Sequence, residues 1–139
     1  MNHNLFKRNP KLETINLAST YTLLHANGEV ERVSGLNELQ EVPRTTKDRI
    51  GKHWLLSKRH YKKNWSDWVM HPACDEVIYV LTGSMSVYLD FGKEQSVISL
   101  KTNDVATIPR GVWHTIKIQT PCEVLEISRN LDTKHKKKV

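Results

Sequence analysis

Residues 70–83 read MHPACDEVIYVLTG: a histidine at 71, a glutamate five positions later at 76, a thiol (Cys74) between them, then an apolar run ending at Gly83. Val77, Ile78, Val80 and Leu81 are residues that favour a pleated strand. The next stretch, SMSVYLDF (84–91), alternates Met85, Val87, Leu89 and Phe91 with Ser84, Ser86, Tyr88 and Asp90. That period of two marks a half-buried antiparallel strand.

Working outward, the same texture recurs. KHWLLSKRHY (52–61) and WSDWVMHP (65–72) precede the quoted stretch, and SVISLK (96–101), VATIPRG (105–111), HTIKIQ (114–119) and CEVLEIS (122–128) follow it. Gly92-Lys93 and Thr102-Asn103 supply turns between neighbours. Short strands at this spacing, with no long helix among them, predict an all-β sandwich or barrel over residues 52–130.

Residues 1–51 read as an N-terminal β arm and a connection. TYTLLHANGEVERV (20–33) predicts a hairpin whose Asn27-Gly28 pair takes the positive φ angles of a type I′ turn. GLNELQEVP (35–43) suggests one or two helical turns stopped before Pro43, and RTTKDRIG (44–51) an exposed link. Leu5, Phe6, Leu12, Ile15, Leu17, Tyr21, Leu23 and Leu24 need a covering surface, either the arm's own barrel or a second chain.

With 139 residues, 38% hydrophobic and 26% charged, the chain suits one compact domain. Its longest apolar-leaning stretch, residues 77–81, is far short of the about 20 residues that cross a bilayer. The first fourteen residues lack the layout of a secretory signal, and two cysteines make no disulfide scaffold, so a cytoplasmic location is expected. The net charge of +6 is concentrated in Lys134, Lys136, Lys137 and Lys138, leaving +2 elsewhere. Residues 131–139 therefore read as a basic, solvated and disordered tail, and the composition argues against a nucleic-acid partner.

The chemistry-bearing residues fall in two places. NDVATIPRGVWHTIKI (103–118) sets Pro109 and Gly111 in a turn and opens the next strand with His114. His71, Glu76 and His114 thus stand at strand boundaries. Two imidazoles and a carboxylate are the donor set of Fe, Mn, Zn and Ni sites, and three ligands leave positions open for substrate, water or dioxygen. A cavity-lining polar cluster without metal is the plainer reading. His3, His25, His53, His60 and His135 read as surface or structural residues.

These two stretches resemble the motifs of the cupin superfamily. Glu76 followed after six residues by Gly83, and Pro109, Gly111 and His114 at their relative spacing, match that family's pattern when taken together. The chain departs from it at Val69, where a first histidine is usual, at Asn103 in place of a glycine and at Ile118 in place of an asparagine. The resemblance implies a double-stranded β-helix (jelly-roll barrel) with a small-molecule cavity and a divalent metal on its wall. It also favours a homodimer whose interface includes the arm. Asp67, Val69 and Trp65 share the strand face of His71, so Asp67 is a substitute ligand and Trp65 a lining residue. Cys74 is a further ligand candidate, Tyr79 or Asp67 a proton-transfer candidate, and Arg110 either a clamp for an acidic ligand or a solvated turn residue. A metal-dependent oxygenase or isomerase acting on a small organic acid or sugar-like molecule, and a non-catalytic binding protein with a degenerate metal site, both remain open.

Overall fold

The computed structural model describes residues 6–8, 16–34 and 42–138, with the backbone alone for 6–8. Among the described residues, ten strands and one helix appear in this order: β1 (Phe6–Arg8), β2 (Thr20–Leu24), β3 (Val30–Ser34), α1 (Arg44–Gly51), β4 (Trp54–Tyr61), β5 (Asp67–Met70), β6 (Glu76–Asp90), β7 (Gln95–Lys101), β8 (Val105–Ile108), β9 (Trp113–Ser128) and β10 (Lys134–Lys137). The fold is an all-β barrel, a curled antiparallel sheet whose spine is the pairing of the two longest strands, β6 and β9.

Both spine strands join what the sequence divides into two. Gly83 sits inside β6 with φ +91°, amid register shifts against β9 between Val80 and Met85. It is a bulge rather than a turn, and a bulge bends a strand and increases its twist. A Cβ here would lie 2.2 Å from the Pro121 carbonyl oxygen, so the close passage of β9 requires glycine. Below the bend β6 pairs with β8, and above it with β7. One strand therefore serves two ends of the barrel.

Inward-facing residues of these strands make the main core: Ile78, Val80, Met85, Val87, Leu89, Leu100, Ile108, Ile116 and Val124. Each such side chain, fully removed from water, contributes roughly 1.5–3 kcal/mol. A smaller core of Tyr21, Leu23, Val33, Ile50 and Leu55 joins β2, β3, α1 and β4.

The arm folds as a hairpin, β2 with β3, and its β2 edge adds to β4 of the same chain through Thr22↔Leu56 to Leu24↔Trp54. Its turn differs from the expected one. Gly28 alone carries the positive φ, Asn27 does not, and Gly28 N–H donates to His25 O while His25 N–H donates to Glu29 O. A longer loop with one left-handed residue at its end connects the strands.

Residues 44–51 are a helix rather than an exposed link. Pro43 precedes its first turn, Ile50 is buried, and the Arg129 guanidinium donates to the Gly51 carbonyl at 3.1 and 3.2 Å. A cation at the C-terminal end of a helix satisfies its last carbonyls and opposes its dipole. The helical turns expected over 35–43 fall mostly on residues outside the described ones.

The lysine run also departs from expectation. Lys134–Lys137 is an ordered strand, β10, paired antiparallel with β5 from Lys134↔Met70 to Lys137↔Asp67. Lys136 Nζ lies 4.4 Å from the centre of the Trp113 ring, and Lys138 Nζ donates to the Trp65 carbonyl at 2.5 Å. Long ammonium side chains can cover aromatic surface while their charges stay wet, which composition alone does not reveal. No helix among the described residues is long and apolar enough to cross a membrane.

Candidate metal centre

His71 follows β5 directly, Glu76 opens β6, and His114 is the second residue of β9. The turn ahead of β9 holds these ends together, because Gly111 N–H donates to the His71 carbonyl at 2.9 Å. Gly111 has φ +76° with open space where a Cβ would go, so its conformation, not room, calls for glycine. His71 Nε2 lies 3.3 Å from Glu76 Oε2, and His114 Nε2 lies 3.3 Å from Glu76 Oε1. The two imidazole centres are 5.7 Å apart. All three residues are buried, at 6%, 3% and 1% exposed, and one ligand atom from each lies within 4.8 Å of the others.

The outer faces of both rings are occupied. His114 Nδ1 is 3.1 Å from the Val112 carbonyl oxygen, to which it can only donate. In the neutral ring its Nε2 is then a bare lone pair aimed at a carboxylate. Those two atoms, His114 Nε2 and Glu76 Oε1, are buried and make no aligned hydrogen bond despite their separation. Buried lone pairs facing each other call for a proton or a cation between them. On His71 the outer nitrogen, Nδ1, is 2.9 Å from Thr133 Oγ1. Burial pushes the Glu76 carboxyl up, but hydrogen bonds and charge from His114 and His71, supplied when those rings carry a proton on the facing nitrogen, outweigh it and hold it at about 2. These donors fit a divalent ion.

His71 and Glu76 open onto a cavity of about 940 Å³ whose wall includes Tyr61, Trp65, Val69 and Glu126. Trp65 packs 5.9 Å from the His114 ring. Asp67 also borders the cavity, yet its carboxylate approaches Lys137 at 3.7 Å and does not join the three donors. Val69 is an apolar wall residue, placed across from His114 on β9 and from His135 on β10. Cys74 turns away: its Sγ accepts from Arg129 N–H at 3.0 Å, and burial pushes the thiol up, so it stays protonated. Tyr79 is not among the cavity residues; its hydroxyl donates to Asn103 Oδ1 at 2.7 Å on the exposed side. Arg110 pairs with Asp75 at 3.4 Å, the bond of a turn residue.

Several cavity residues escaped the sequence reading, Tyr61 and Glu126 among them. Tyr61 donates to Glu126 Oε1 at 2.5 Å, and Glu126 is buried. Burial, then the nearby Glu76 charge, raises the Glu126 carboxyl to about 7. The same causes run through Tyr61, where burial and then Glu126 raise the phenol well above its usual value. The signal was present, because Glu126 falls on the same alternation as the inward-facing Cys122 and Val124. His135 is exposed on β10, as a surface residue should be, and also borders the cavity.

A curled antiparallel barrel with two imidazoles and a carboxylate gathered beside an open cavity is the class of protein defined here. The cupin domain family model matches residues 60–128, and the chain belongs to the cupin superfamily. Among solved structures it is similar to a cupin-2 domain containing protein from Shewanella frigidimarina, at 21% identity and a TM-score of 0.48, over 55% of this chain and 70% of that one. It is similar to a cupin superfamily protein from Desulfitobacterium hafniense, at 18% identity and a TM-score of 0.47, over 55% and 66%. It is also similar to hydroquinone 1,2-dioxygenase from a Sphingomonas species with 4-hydroxybenzoate bound, at 16% identity and a TM-score of 0.45, over 54% and 59%. No curated protein matches the chain.

Proposed function

We propose that His71, Glu76 and His114 hold a divalent metal ion, and that the cavity beside them takes a small organic acid or sugar-like molecule for an oxygenase- or isomerase-type reaction. The observation that carries this reading is the unpaired His114 Nε2 facing the unpaired Glu76 Oε1 at 3.3 Å inside the barrel. An ion of the Fe, Mn, Zn or Ni class supplies Lewis acidity, or dioxygen chemistry if it is redox-active.

The chain's own groups suit the remaining tasks. Glu126, raised to about 7 in the metal-free chain by burial and the Glu76 charge, is the carboxyl placed to hold or release a proton beside the cavity, with the Tyr61 hydroxyl bonded to it at 2.5 Å. A carboxyl poised near the working pH is what proton transfer requires. Arg59, which borders the cavity and is fixed by a 2.9 Å hydrogen bond to the Tyr21 hydroxyl, offers a cation to an acidic ligand. Trp65 and Val69 line the cavity with apolar surface that limits water.

A second reading, a non-catalytic binding protein with a degenerate metal site, is favoured by Val69, which puts two methyl groups where a further donor would stand. Metal analysis of the purified, untagged protein tests the first step. Dioxygen uptake and isomer formation with a panel of small organic acids and sugars then separate enzyme from binder. Protein isolated and reconstituted without stoichiometric metal would remove the metal reading. Metal-loaded protein that binds a panel member and leaves it unchanged would favour the second.

A further inference from the structure

We propose a second divalent-metal site, outside the barrel, formed by His25, Glu31 and His53 and serving as a clasp between the N-terminal hairpin and the rest of the fold. The three residues come from three places: the hairpin loop just after β2, strand β3, and the turn between α1 and β4. One ligand atom from each lies within 4.8 Å of the others. None of the three borders the cavity.

The local chemistry is that of a donor set. Glu31 is 1% exposed, and a carboxylate removed from water needs partners for both oxygens. Arg49 takes Oε2 at 3.0 Å, which orients the group and leaves Oε1 toward His25 Nε2. That nitrogen is itself buried and makes no aligned hydrogen bond. The His25 and His53 rings stack at 3.7 Å with 15° between their planes. Parallel rings hold their in-plane lone pairs parallel too, so one of the two rings must turn about its side-chain bonds before both nitrogens reach a single ion.

Three donors with both rings only half-buried leave the remaining coordination positions to water. The plainer alternative is a proton shared between His25 and Glu31, with His53 stacked on the pair. Against that stands the place of the cluster. Among the described residues, the hairpin is held to α1 and β4 by the β2–β4 pairing and by a small core of Tyr21, Leu23, Val33, Ile50 and Leu55. A metal that binds only the folded arrangement adds its binding free energy to that joint. The Arg49 charge beside Glu31 opposes a cation, so the clasp binds more weakly than the barrel donors.

Zinc titration by calorimetry, with thermal melting on the same samples, tests the site in the full chain. The variant His71→Ala/His114→Ala, which lacks the barrel donors, is expected to keep one zinc equivalent and to melt higher with zinc. Adding His53→Ala should abolish both effects while leaving the far-ultraviolet spectrum unchanged. Should the double variant not fold, His53→Ala alone decides, because it should lower the zinc stoichiometry of the wild-type chain by one. An unchanged stoichiometry in His53→Ala, or no zinc bound by a folded His71→Ala/His114→Ala, overturns the clasp. A wild-type chain binding a single zinc that His53→Ala removes would support the clasp while refuting the barrel centre.

Discussion

Thr133 Oγ1 lies 2.9 Å from His71 Nδ1, so a residue in the C-terminal segment, 62 positions away in sequence, orients an imidazole of the barrel site. Asn130 Oδ1 receives the Thr133 hydroxyl at 3.4 Å, and β10 follows immediately, paired to the strand that leads into His71. The segment is therefore part of the site's support. Partners of this kind typically carry about 10–100-fold of metal affinity. Thr133→Val should weaken metal binding by at least about tenfold with the β spectrum intact, read by competition with a chromophoric chelator. Unchanged affinity would show that His71 needs no such partner.

Removing a donor outright should do more. His114→Ala is expected to abolish stoichiometric metal in the barrel without unfolding it, because Trp65 and the surrounding strands retain their packing. Elemental analysis of the variant, performed with His53→Ala in the background, isolates the barrel site. Wild-type metal content in that protein would count against His114 as a ligand.

The raised Glu126 carboxyl predicts a pH dependence of stability in the metal-free protein. Its folded value is about 7 against an ordinary 4.5, so between those limits the folded chain keeps a proton that the unfolded chain releases. Stability from this group is complete below about 4.5 and is lost as pH rises through 7. Urea titrations at pH 5 and pH 8 should show the metal-free wild type more stable at the lower value. In Glu126→Gln, which still accepts from Tyr61, the difference should shrink. An identical difference in the variant would assign the effect elsewhere.

Gly83→Ala and Gly111→Ala separate two reasons for a glycine. Both positions have positive φ, but a Cβ at 83 would meet the Pro121 carbonyl at 2.2 Å, whereas at 111 it would meet open space. Gly111→Ala should cost about 1 kcal/mol from the backbone alone, and Gly83→Ala distinctly more because the β6–β9 contact must move. Equal urea midpoints for the two variants would contradict this account.

The expectation of a homodimer carries its own test. The arm uses its β2 edge on its own β4, so any dimer contact must involve other surface of the arm or of the barrel. Light scattering at micromolar concentration should give twice the chain mass, falling on removal of residues 1–33 if the arm contributes. A monomer mass for the full chain refutes the dimer.

Local pattern carried the fold class. Alternation at 84–91, and the spacings from Glu76 to Gly83 and from Pro109 to His114, depend on neighbours along the chain and are legible there. Alternation also held Glu126 on an inward face, though nothing local said that Tyr61 would meet it. Other features depended on partners distant in sequence. Gly83 reads equally as a turn or a bulge, since both use positive φ, and only the pairing of β9 across it makes it a bulge. A lysine run reads as disordered until β5, Trp65 and Trp113 are placed beside it. His25 and His53 read as separate surface residues until the hairpin docks against α1 and stacks them. Short-range periodicity determined the strands, and motif spacing pointed to His71, Glu76 and His114 as donors, whereas supporting contacts arise only when segments far apart in the chain share one barrel, which periodicity does not encode.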